Sequence, residues 1–157
     1  MPTTDILHPA RIACQQDSSS KKRNLEMLSA LLADAVADYT EAEIFDSLLA
    51  RERLGSTGLG NGVALPHGRL RGLKQPIAAL VTLRQGIDFD AIDRQPVDLL
   101  YALLVPEESN DEHLKILAQL AGLFSTPDFC SRLRSCNSSN QCFQLINNQS
   151  NDQQRFA

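Results

Sequence analysis

No apolar run in this chain approaches the roughly 18 residues that a helix needs to cross a bilayer, so no membrane span is expected. The opening Met1-Pro2-Thr3-Thr4-Asp5-Ile6-Leu7-His8-Pro9 has neither a basic start before an apolar core nor a small-residue cleavage site. Nothing there directs export, and a cytoplasmic location is the expectation. Excess positive charge is also missing. With a formal net charge of -4 and a pI near 5.3 the chain lacks the basic footprint of a nucleic-acid binder. The only basic run, Lys21-Lys22-Arg23, reads as the solvated first turn of a helix and is assigned no function. Cysteine is sparse: Cys14, Cys130, Cys136 and Cys142 are too few and too unevenly placed for a secreted disulfide framework, and the last three do not have zinc-ligand spacing. They read as small, partly buried hydrophobes. Without a histidine-rich cluster or a His-x-x-Glu-His pattern, zinc hydrolysis has no support either.

What remains is a 157-residue chain of ordinary globular composition, 43% hydrophobic and 22% charged, long enough to bury a sizeable core without staples. It shows no internal repeat and no domain boundary. Arg11-Ile12-Ala13-Cys14 is a short strand candidate. Leu25, Leu28, Leu32 and Val36 recur at three- and four-residue steps and predict a helix from about Lys21 to Ala37. Thr40 with Glu43 forms a capping box, opening a second helix to about Arg53 that carries Ile44, Phe45, Leu48 and Leu49. Two continuous apolar runs, Pro76 to Arg84 and Pro96 to Pro106, read as strands buried on both faces, with a loop or short edge segment from Gly86 to Gln95 between them. Ser109 with Glu112 is a second capping box, for a helix whose apolar face is Leu114, Leu117, Leu120, Ala121 and Phe124. Thr126-Pro127 restarts a helix through Phe129, Cys130 and Leu133. Ser138 with Gln141 opens a last short helix through Ile146, and residues 147–157 read as a polar, frayed C-terminal tail. The order β-α-α-β-β-β-α-α-α puts helices at both ends of the chain, able to cover both faces of one sheet. The expected class is α/β with three α/β/α layers.

One stretch stands apart. Gly55 to Arg69, G-S-T-G-L-G-N-G-V-A-L-P-H-G-R, holds five glycines, one proline, two hydroxyls and a histidine, and it cannot be a helix. Val63-Ala64-Leu65 can enter a sheet, and Pro66 then stiffens the backbone that presents His67. Three readings compete. A dinucleotide site or P-loop needs a strand before the glycines and a helix after them, the reverse of the order here. A flexible connection would leave His67 an ordinary surface residue. In the third reading loop N–H groups, with Ser56 and Thr57, surround an anion beside a reactive imidazole. His8 beside Pro9 reads as solvated. His113 lies early in a capped helix after a buried strand, where N–H groups and the helix dipole attract anions, although an exposed or core histidine fits the spacing as well. Arg51 falls in the last helical turn before the loop. Two histidines and an arginine beside glycines would suit phosphoryl chemistry, the neutral imidazole attacking while donors stabilise the transferred charge.

The run from Arg51 through Gly55-Ser-Thr-Gly-Leu-Gly-Asn-Gly-Val-Ala-Leu-Pro-His67-Gly68 resembles the active-site signature of the enzyme IIA proteins of the mannitol/fructose class of the bacterial phosphotransferase system. The likeness continues through Gly86-Ile-Asp-Phe-Asp90, Gln95-Pro-Val-Asp-Leu99, Leu104-Val-Pro-Glu107 and His113-Leu-Lys-Ile-Leu117, covering about residues 5–146. Within the class the chain looks most like the nitrogen-related, stand-alone regulatory branch. The resemblance implies a mixed sheet between helical layers and a phosphorelay component with no metal or organic cofactor. It implies that His67 accepts a phosphoryl group from a phosphohistidine carrier protein, that His113 hydrogen-bonds that group, and that Arg51 counters its charge. Regulated partners such as sensor kinases or potassium transporters are implied for this branch. For the fructose- or mannitol-type relatives the phosphoryl group would instead pass to a sugar transporter. Arg94 departs from the pattern, standing where a glycine or asparagine turn residue is expected, and the Asn/Gln-rich end beyond Ile146 has no counterpart.

Overall fold

The computed structural model describes residues 6–108 and 110–156, without the side chains of residue 110 and residues 151–156. After a 3-10 turn at Pro9–Arg11 come β1 (Ile12–Gln16), α1 (Lys21–Ala33), α2 (Glu41–Arg53), β2 (Gly58–Gly60), β3 (Val63–Ala64), β4 (His67–Leu70), β5 (Ile77–Ile87), β6 (Val97–Pro106), α3 (Asn110–Phe124), α4 (Pro127–Arg134) and α5 (Ser139–Phe156). The six strands form one sheet in the order β1-β5-β6-β3-β2, with β4 pairing β6 beyond the end of β3. The sheet is mixed: β5 runs antiparallel to β6, whereas β1 is parallel to β5 and both β3 and β4 are parallel to β6.

Alternation along the two long strands divides the core. On β5 and β6, Leu80, Leu99, Tyr101 and Leu103 point to the face covered by α3, α4 and α5, and Ala79, Val81, Leu100 and Leu104 to the face covered by α1 and α2. This is the three-layer α/β/α arrangement, and it explains why both strands read as unbroken apolar runs. Cys130, Cys136 and Cys142 lie buried in the first of these cores and Cys14 packs against it, all as free thiols.

Several expectations need correction. The first helix stops at Ala33, not near Ala37: Ala35 and Val36 bond back to Leu32 and Ala33, closing a tighter turn that still buries Val36. The glycine stretch is largely strand, because Asn61 (φ 58°) and Gly62 (φ 84°) form a tight turn that folds β2 back on β3. Strand β5 continues past Arg84 to Ile87. On α3 the buried face is His113, Ile116, Leu120, Leu123 and Phe124, and Leu114 is exposed. The capping box expected from Ser109 lies outside the described residues. The largest difference is at the C-terminus, where α5 runs unbroken to Phe156 in place of a short helix and a tail. Cys142, Ile146 and Ser150 recur every fourth residue and are all buried, so the polar end keeps one packed face.

Candidate functional site

The site is built where the sheet is interrupted. Strands β3 and β4 lie on the same edge of β6, in register as Ala64↔Leu100 and His67↔Leu103, with Leu65 and Pro66 between them. Pro66 has no N–H to donate, but its carbonyl accepts from Leu103 N–H at 2.9 Å, so the chain rejoins the sheet at His67. The kink brings the Leu65 carbonyl to 2.9 Å from His67 Nδ1. A carbonyl only accepts, so Nδ1 carries the proton and Nε2 keeps its lone pair.

Around the half-buried His67 is a cavity of about 330 Å³ lined by Arg51, the loop residues Ser56 to Leu59, Leu65, and Leu117, Ala118 and Ala121 of α3. Arg51, in the last turn of α2, donates from its guanidinium to Gly55 O at 2.8 Å, which fixes the arm beside the loop. His113 reaches His67 from the first turn of α3. The rings meet edge to face, with centroids 5.5 Å apart and planes at 75°. His113 is only 6% exposed, against the expectation of an open helix-start histidine, and neither of its ring nitrogens has a hydrogen-bond partner among the described residues. Burial holds both imidazoles below the ordinary histidine range. For His67 the charges of Arg51 and Arg69 add to that effect, against the Leu65 hydrogen bond and Glu52. For His113 the further causes are His67 and Arg69. Both rings are therefore neutral near pH 7.

All five residues singled out from the sequence thus meet at one place, but not all with free polar groups. Ser56 Oγ donates to Phe89 O at 2.9 Å and accepts from Gly58 N–H at 3.0 Å. Thr57 is buried, and both its N–H and its hydroxyl are held by the Glu52 carboxylate. In this conformation the two residues shape the loop. Glu52, and Lys21 which pairs with it at 2.9 Å, are the site components that sequence reasoning missed. A signal was available: a carboxylate between Arg51 and Arg53 opposes the dipole of the last helical turn and so calls for a partner. Among the described residues no three His, Cys, Asp or Glu side chains gather as a metal site requires. No helix there is long and apolar enough to cross a membrane.

A neutral nucleophilic nitrogen, a guanidinium and a second imidazole around a cavity walled by glycine-rich backbone define a site suited to taking up a phosphoryl group. The chain belongs to the family described as phosphoenolpyruvate-dependent sugar phosphotransferase system, EIIA 2, which matches residues 5–149. Its relatives narrow the class. It is 45% identical over 141 residues to a nitrogen regulatory protein of Pseudomonas aeruginosa, covering 90% of this chain and 92% of the relative. The crystal structure of nitrogen regulatory protein IIA-Ntr from Neisseria meningitidis superposes with a TM-score of 0.86 at 40% identity, covering 91% of this chain and 97% of that one. A fructose-specific EIIA component of Haloferax volcanii is 35% identical over 124 residues, 77% of this chain and 80% of that protein.

Proposed function

We propose that this protein is a phosphoryl-accepting regulator of the nitrogen-related phosphotransferase branch. His67 Nε2 attacks the phosphorus of a phosphohistidine on a small phosphocarrier protein; the new N–P bond forms as the carrier's breaks, and the carrier's imidazole leaves. The observation that carries this reading is the Leu65 carbonyl on His67 Nδ1–H, which directs the lone pair to Nε2 and stabilises the positive charge that grows on the ring during attack. Arg51 offers a planar fork to the phosphoryl oxygens, and His113 an N–H that has no competing partner among the described residues. Exposed Leu59 at the cavity mouth supplies apolar surface for the carrier. The phosphoryl group adds close to two negative charges at one surface point, and that change selects which proteins bind.

Incubation with phosphoenolpyruvate, enzyme I and the phosphocarrier tests the proposal. Acid-labile label is expected on wild type and absent from His67→Ala; an unlabelled wild type, or full labelling of the variant, overturns it. The Haloferax relative favours a second reading, in which the same His67 passes the group to a fructose- or mannitol-type transporter. Sugar phosphorylation by transporter membranes supplied with the labelled protein distinguishes the two: none is expected for the regulator.

A further inference from the structure

We propose that Glu52, held by Lys21, is the positioning residue of the phosphoryl site: it fixes the Ser56–Gly58 segment against the end of α2 and so sets the wall that faces His67. The inference rests on the phosphoryl-accepting reading and adds a part to it. Glu52 is 6% exposed. Its two carboxylate oxygens accept from Thr57 N–H at 3.2 and 3.3 Å, and one accepts from the Thr57 hydroxyl as well. Lys21 Nζ, on the first residue of α1, lies 2.9 Å from the same carboxylate, 3.4 Å from Phe89 O and 4.6 Å from the centre of the Phe89 ring. Phe89 O is also the acceptor for Ser56. One charge pair, its carboxylate buried and its ammonium partly exposed and also 3.6 Å from Asp90, therefore joins the start of α1, the end of α2, the glycine loop and the segment after β5.

Stability alone is a poor reason for such an arrangement. Desolvating two charges offsets most of their attraction, and well-packed apolar replacements are often as stable. What an apolar pair cannot do is hold the N–H and hydroxyl of Thr57 together, a residue that itself lines the His67 cavity. Glu52 is also the acidic member of the charges acting on His67, opposed by Arg51 and Arg69, with His113 facing the ring from α3. Arg51 and Glu52 are chain neighbours with opposite tasks, one presented to the cavity and one turned back to brace its wall.

The test compares wild type, Glu52→Gln and the double variant Lys21→Met/Glu52→Leu by two readouts. The first, 15N imidazole NMR of the isolated protein, reports the His67 tautomer and titration without any phosphocarrier. The second is the rate of phosphoryl transfer. Glu52→Gln should lower the His67 pKa further, since an anion that favours the imidazolium is lost; the double variant, which also loses the Lys21 cation, should shift it less while melting close to wild type. Transfer should slow about ten- to a hundredfold in both, as misplacement of a reacting geometry by about 1 Å does. Wild-type titration and rate in a folded double variant would overturn the inference. If the double variant does not fold, Glu52→Gln decides by the same readouts. If wild type accepts no phosphoryl group, the functional reading fails, yet the His67 titration still decides whether Glu52 positions the site: an unmoved titration rejects it.

Discussion

The two flanks of β6 are built differently. Toward β5 the pairing runs antiparallel from Ile77↔Leu104 to Thr82↔Leu99 without a break, and nearly every side chain on it is fully buried. Toward the glycine stretch the partner is two short strands separated by Leu65 and Pro66, and the second begins with a half-buried histidine. The continuous ladder keeps its residues in one regular register and opens no cavity between the strands. The interrupted one turns the Leu65 carbonyl onto His67 and opens a cavity beside it. One flank of the same strand is organised for burial and the other for presenting the His67 imidazole to a cavity. The sharpest way to break the contrast is to damage the continuous flank. Leu80→Ala, on β5 and fully buried, should cost about 2–5 kcal/mol in urea unfolding. Phosphoryl transfer per folded molecule should be unchanged, and a slowed rate would show that the flanks are coupled.

Damage to the interrupted flank should be smaller in stability and larger in function. A Cβ on Gly68, the residue after His67, would collide with Ser47 Oγ and lie 3.3 Å from the Ser47 backbone carbon. Helix α2 sits against β4 at van der Waals range, so Gly68→Ala should push them apart, with a loss of about 1–3 kcal/mol in the same assay. Because the closest atom is a side-chain hydroxyl, Ser47→Ala in the Gly68→Ala background should restore part of the loss. No recovery would mean that the backbone contact dominates.

Acid should discriminate the flanks more gently. Both histidines belong to the interrupted side, and burial holds each below the ordinary value of 6.5. As pH falls the unfolded chain takes up those protons first. The stability they contribute is therefore complete above about pH 6.5 and is lost as pH falls toward and through their folded values. Glu43 and Asp93, lowered from 4.5 and 3.8 by hydrogen bonds to their carboxylates, act only in a more acidic window. Urea midpoints between pH 7.5 and 5 should decline in wild type and decline less in His113→Phe, which removes one of the two groups and its two unpartnered nitrogens. An identical slope would place the titration elsewhere.

How much of this was legible in the sequence depended on the range of the interaction. The start of α2 was legible because its determinants are local: Thr40 N–H donates to Glu43 Oε1 at 3.0 Å and Glu43 N–H to Thr40 Oγ1 at 3.1 Å, as the spacing implies. The buried strands were legible because cover on both faces imposes a continuous apolar run. Asn61-Gly62 was a hairpin signal hidden within the count of glycines. Arg94, which breaks the family pattern, has φ 61°, the left-handed backbone that glycine or asparagine adopts more easily. The length of α5 rests on one residue in four, a periodicity too sparse to stand out among Asn and Gln. The partner of Glu52 on α1 and the burial of His113 against β4 were not legible, since both contacts join elements distant in the chain. Lys21 illustrates the limit: a basic run that reads as solvated hides one member with a buried partner.

Arg51 gives the smallest expected change in stability and the clearest separation of charge from scaffold. Its one hydrogen bond among the described residues, to Gly55 O, lies at an exposed position, so Arg51→Ala should shift the urea midpoint by no more than about 0.5 kcal/mol. Removing the cation should raise the His67 pKa, because after burial and against the Leu65 bond it is the leading charge that holds the ring neutral. That is the opposite sign from the change expected for Glu52→Gln. Transfer should fall by about 10²–10³, the effect of deleting one donor aimed at developing charge. Arg51→Lys should keep the pKa near wild type while still transferring slowly, since a point charge replaces the fork that matches phosphoryl oxygens. Normal transfer by the lysine variant would reduce the role of Arg51 to its field alone, and would move the bidentate contact to another donor of the cavity wall.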